Sequence, residues 1–106
     1  MGNTQHSEAA LLRDIDDLLA HGLPTQIEPI PETDREWEEI LVALRAVEAG
    51  DVKQKLVIGG FLNHPVGEDQ HCCMNCMYFL THRKWCDLPE LSLPVKAGWW
   101  CRLWRI

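Results

Sequence analysis

No stretch of this sequence comes near the roughly 20 consecutive apolar residues that a membrane-crossing helix requires, so no membrane association is expected. The opening segment, MGNTQHSEAALLRDIDDLL, carries acids where a secretory leader carries its charge-free apolar segment. The chain is therefore expected in the cytoplasm. Met1-Gly2-Asn3 does not complete a myristoylation signal, because His6 stands where Ser or Thr is required. There is no internal repeat and no low-complexity tract. A hydrolase elbow, a phosphate-binding loop, a paired acid–base motif and an open-site metal signature are also missing, which leaves an enzyme as the reading with least support.

Positive charge is scarce, with ten Lys and Arg against sixteen Asp and Glu, for a net charge of −6. The imbalance is uneven. Residues 1–50 carry eleven acids and three bases, whereas residues 71–106 carry two acids and five bases, Arg83, Lys84, Lys96, Arg102 and Arg105. A general nucleic-acid binder carries a strong basic patch. Five bases in a tail are thin support for that contact, and surface solubility accounts for them better. Cysteine is absent from the first 71 residues, and all five cysteines lie between Cys72 and Cys101. In a reducing compartment such clustering favours metal binding over disulfides.

What remains is a chain of 106 residues, 46% hydrophobic, enough for one small core or for a core and a short module. Residues 1–6 read as a frayed end. Ser7 is placed to cap a helix that runs to about His21, with Leu11, Leu12, Ile15, Leu18 and Leu19 on one stripe and Gly22 as its stop. Pro24–Pro31 holds three prolines and reads as an extended connector pinned by Ile27 and Ile30. Thr33 and Glu36 have capping-box spacing. They open a second helix whose apolar face is Trp37, Ile40, Leu41, Leu44 and Val47, and which Gly50 ends. Residues 51–62 fit a third helix or a short strand at Leu56-Val57-Ile58, and the helix is the better fit. Pro65 and Gly67 mark a boundary. The expected architecture is a small α-helical N-terminal part of two to three helices over residues 1–66, a scaffold or docking arm for a protein partner. An irregular, metal-stabilised Cys-rich module over residues 67–106 follows it.

Counted from Cys73, the tail reads C-x2-C-x9-C-x14-C, through Cys76 and Cys86 to Cys101. Two intervening residues let one tight turn aim Cys73 and Cys76 at the same centre, with backbone N–H groups able to face the sulfurs. Four thiolates suit tetrahedral Zn²⁺ or an iron–sulfur cluster. Cys72 is the natural spare, although it could replace Cys73 in a less usual C-x3-C turn. His71 and His82 are further candidate ligands, better read as surface residues or as residues that back the ligands once four cysteines are available. A Cys86–His82 nucleophile has no third orienting group. Zinc ribbons usually carry two short Cys pairs, and only one is present here. The later cysteines stand alone among aromatics, in Trp85-Cys86 and Gly98-Trp99-Trp100-Cys101-Arg102-Leu103-Trp104, where bulky rings exclude water.

This tail resembles the cluster segment of the high-potential iron–sulfur proteins. Both have a C-x2-C pair (Cys73 and Cys76), a lone cysteine soon followed by proline (Cys86, then Pro89) and a closing Gly-Trp-Cys-x-x-Trp (Gly98, Trp99, Cys101, Trp104). Here one more tryptophan, Trp100, stands before the last cysteine. The tail is also similar to the small iron–sulfur accessory subunits of glycyl radical enzymes. The resemblance covers about a third of the chain. It implies that Cys73, Cys76, Cys86 and Cys101 each ligate one iron of a [4Fe–4S] cluster. It further implies a non-catalytic accessory, redox or sensing subunit of a larger assembly. The alternative expectation is a Zn²⁺-binding adaptor or regulator that engages a protein or nucleic-acid partner.

Overall fold

A computed structural model describes residues 7–106. The frayed end and the Met1-Gly2 motif lie outside the described residues. Three helices come first, α1 (Glu8–Ala20), α2 (Asp34–Arg45) and α3 (Val52–Gly59). None of the helices described is long and apolar enough to cross a membrane.

Each helix starts where its sequence offers a cap. The Ser7 hydroxyl accepts from the Ala10 N–H at 3.1 Å. Thr33 and Glu36 form the reciprocal capping box, satisfying N–H groups that have no partner inside the helix. Asp51 does the same for Gln54 at the head of α3. Ile15 and Leu19 of α1, Ile40, Leu41 and Leu44 of α2 and Leu56 of α3 are buried in one core. The ambiguous segment 51–62 is helical over Val52–Gly59. It ends at Gly60, whose φ of +66° lies in the left-handed region, and a Cβ there would run into the Gln26 carbonyl.

Two local expectations are corrected. Helix α2 stops at Arg45, with Ala46 as its cap, because Val47 and Asp51 close successive turns onto Leu44 and Glu48 instead of continuing the helical ladder. Ile27 and Ile30 do not pin the connector, since 37% and 50% of their surface is exposed. Polar contacts pin it. Gln26 donates its N–H to Val57, and Thr25 donates its hydroxyl to the Phe61 carbonyl, each at 2.8 Å.

The tail is more regular than expected. Three strands of two residues each, β1 (Phe79–Leu80), β2 (Trp85–Cys86) and β3 (Leu93–Pro94), form an antiparallel sheet in the order β1-β2-β3. Phe79 and Leu93 both pair with Cys86, so that cysteine lies on the central strand. Runs this short carry no alternation of apolar and polar residues to read. Leu88, Leu91, Leu93, Val95, Trp99 and Leu103 from the tail join the helical leucines in the same core.

Candidate metal centre

The four cysteines singled out by spacing all border one cavity. Its walls are Cys73, Cys76, Cys86 and Cys101 with Phe61, Tyr78, Phe79, Val95 and Trp104, and its empty space is about 300 Å³, part of it open to solvent. All five cysteines are free thiols. Among the described residues no three Cys, His, Asp or Glu side chains meet closely enough to hold a single metal ion. The thiols thus surround a shared space and do not converge on one point.

Backbone hydrogen bonds fix each thiol. Residues Cys73–Asn75 form one turn of 3₁₀ helix, closed by Cys76 N–H donating to the Cys73 carbonyl at 2.9 Å. The Cys73 and Met74 N–H groups donate to the Trp99 and Ala97 carbonyls at 2.6 and 2.9 Å, which ties this turn to the strip ahead of Cys101. Cys86 is held by β2. Cys101 is clamped on both sides by the end of the helical part. Leu62 and Trp100 exchange N–H···O bonds of 2.7 and 2.9 Å, and the Arg102 N–H donates to the Gly59 carbonyl at 3.0 Å. The helices therefore place the fourth thiol and, through Phe61, one wall of the cavity.

Cys72 and Cys73 point differently. Cys72 is buried but lies outside the cavity lining. Its N–H donates to Asn75 Oδ1 at 3.0 Å, and its carbonyl accepts from the Trp104 indole at 2.9 Å. The same indole N–H also reaches Asn75 Oδ1 at 2.9 Å, which orients Trp104 along the cavity. His71 stacks on Trp104 with ring centroids 3.9 Å apart and planes 9° apart. His82 is exposed in the β1–β2 turn and takes no part in the lining.

Burial governs the thiols. Loss of solvation pushes Cys86 from the ordinary thiol value of 9.0 up to about 11. It raises Cys73 and Cys101 as well, and the neighbouring cysteines add to the rise. Nearby backbone N–H groups oppose it, that of Leu88 at Cys86, that of Leu103 at Cys101 and that of Cys73 at its own sulfur. For the two lone cysteines the opposing group lies two residues further along the chain. Such donors favour the anionic sulfur that a metal requires.

Four thiols border one cavity with aromatic and apolar walls. Sequence reasoning missed Phe61, Tyr78 and Phe79 as wall residues. Tyr78-Phe79 just after Cys76 was the available signal. Of the tryptophans expected around the lone cysteines, Trp104 lines the cavity, Trp99 and Trp100 are buried outside the lining, and Trp85 carries the Arg83 guanidinium over its ring at 3.7 Å. The basic residues are also largely occupied within the fold. Arg83 pairs with Glu8 and Lys96 with Asp16, Arg105 lies over Trp37, and Arg102 is buried rather than at the surface. Comparison of the chain with protein-family models, with curated proteins and with solved structures returns no match.

Proposed function

We propose that this chain is a small, non-catalytic iron–sulfur protein that holds one [4Fe–4S] cluster through Cys73, Cys76, Cys86 and Cys101. It would serve as an accessory, redox or sensing subunit of a larger assembly. The observation that carries the reading is the single cavity bordered by those four thiols and walled by apolar and aromatic side chains. A single zinc ion, with Zn–S bonds of ~2.3 Å, draws its sulfurs to about 3.8 Å from one another. Thiols spread around a cavity suit a cluster better, since each iron takes one sulfur. When bound, such a cluster exchanges single electrons.

The chain's own part is to present four sulfurs, aim the Leu88 and Leu103 N–H groups at two of them and keep water from the walls. Met74 and Met77, on either side of Cys76, are 65% and 59% exposed and offer an adaptable apolar surface to a protein partner. Purification with and without oxygen, with iron, sulfide and zinc assayed on both samples, tests the proposal. A brown anaerobic protein with about four irons and four sulfides per chain is the expected result. Colourless protein with one zinc from both preparations would sink it.

A further inference from the structure

Arg102 is the one charged residue buried among the described residues, with 7% of its surface exposed. It lines a pocket between the connector, α2 and α3, with Gln26, Pro29, Glu36 and Glu39 around it. That pocket holds about 620 Å³ of empty space, part of it open to solvent, and shares no lining residue with the four-cysteine cavity. The guanidinium donates from Nε to the Ile58 carbonyl at 2.9 Å, from Nη1 to the Pro29 carbonyl at 3.3 Å and from Nη2 to Gln26 Oε1 at 3.3 Å. All three acceptors are neutral. A guanidinium has five N–H groups, so one on each terminal nitrogen has no acceptor among the described residues. A cation withdrawn from water without an anion is costly.

Two carboxylates line the same pocket, yet among the described residues no acid lies within ion-pair distance of Arg102. Glu36 is fixed by the capping box, its Oε1 accepting from the Glu32 and Thr33 N–H groups at 2.9 and 3.0 Å. Glu39 approaches Arg35 at 3.5 Å in an exposed pair. Opposite charges thus border one space without meeting across it. A simple anion is repelled by the glutamates and a simple cation by the arginine, whereas a ligand that carries both charges satisfies both. The rest of the wall is mostly apolar, from Pro29, Pro31, Ile40, Ala43 and Ile58.

We propose that this pocket binds a small zwitterion, an α-amino acid with an apolar side chain. Its carboxylate takes the two free N–H groups of Arg102 as a bidentate pair. Its ammonium faces Glu36 and Glu39, and its side chain lies against Ile40 and Ile58. The space is of the size that small-molecule sites use. The inference goes beyond the iron–sulfur reading and does not depend on it.

Isothermal titration calorimetry of the full chain with leucine, methionine and phenylalanine at millimolar concentration is the test. At least one should bind. The N-acetyl and amide derivatives of the tightest binder each lack one charge, and each should bind on the order of tenfold more weakly, the loss of one charged contact. Glu39→Gln, at an exposed position, should weaken the amino acid and leave the N-acetyl derivative, which has no ammonium, unchanged. Arg102→Met should abolish binding, with circular dichroism melts to check that it folds. If it does not fold, the derivatives and Glu39→Gln still decide. No binding by any of the three amino acids overturns the inference and leaves Arg102 as a tether between tail and connector. Derivatives that bind as tightly as the parent overturn it too, since the charges would not be read. So does a Glu39→Gln variant that weakens parent and N-acetyl derivative equally or neither of them.

Discussion

At the scale of single residues, the thiols divide by orientation. Serine at Cys73, Cys76, Cys86 or Cys101 should each abolish or strongly lower iron content, whereas Cys72→Ser should keep it, since Cys72 lies off the cavity. Iron and sulfide assays on the five variants check this, and the reverse pattern for Cys72 and Cys73 would move the turn by one residue. The metal-free protein should also show an alkaline weakness. Folded Cys86 holds its proton up to about pH 11, against 9.0 for an ordinary thiol. The folded state therefore binds that proton more tightly than the unfolded state. Its contribution to stability is whole below pH 9 and is lost as pH rises through about 11. Thermal melts of metal-free protein across that range should fall, and a flat profile would contradict this account of burial. Metal loading runs the other way, because the thiols must release protons on binding, so affinity should grow with pH. Candidate ligands were legible at this scale because a C-x2-C pair imposes its own turn. The sulfur-facing N–H groups of Leu88 and Leu103 were not, because they depend on backbone paths that no residue type announces.

At the scale of elements, local chemistry sets the helices and long-range contacts set the strands. Ser7 and Thr33 cap where their positions ahead of apolar stripes suggest, and the stripes of α1 and α2 bury residues that their 3.6-residue period selects. Thr33→Ala removes the acceptor for the Glu36 N–H and should cost ~1 kcal/mol, seen as a melting temperature about 4–8 °C lower. The strands had no such signal. Cys86 finds its partners only when Phe79 and Leu93 arrive on either side. Gly60→Ala belongs here as well. It forces a side chain into a left-handed backbone against the Gln26 carbonyl and should destabilise by more than the ~1 kcal/mol that Gly and Ala usually differ by in a helix. Urea unfolding of the variant measures this.

At the scale of the whole molecule, the uneven charge becomes cohesion. The acidic helical part and the basic tail meet through Glu8–Arg83, Asp16–Lys96 and Asp34–Arg105, each exposed and therefore screened by water and salt. The stronger tie is the common core, in which helical Leu44 and Leu56 pack in one cluster with Leu91 and Leu103 from the tail. A fragment of residues 67–106 would lose Phe61 from the cavity wall and the Leu62 and Gly59 ties beside Cys101. It is expected to hold far less iron than the full chain under the same reconstitution, and equal loading would show that the tail folds alone. The helical part and the cysteine-bearing tail were visible in composition and spacing. Their mutual packing was not, because nothing in either segment specifies which apolar face meets which.

The seating of Trp104 gives the protein an optical gauge. Its indole is fixed by two hydrogen bonds along the wall of the cavity. A strongly absorbing group entering that space would drain its excited state by energy transfer. Emission from this residue should dim as the centre assembles and recover as it is lost, so one fluorimeter trace, compared with that of Trp104→Phe, would time both events.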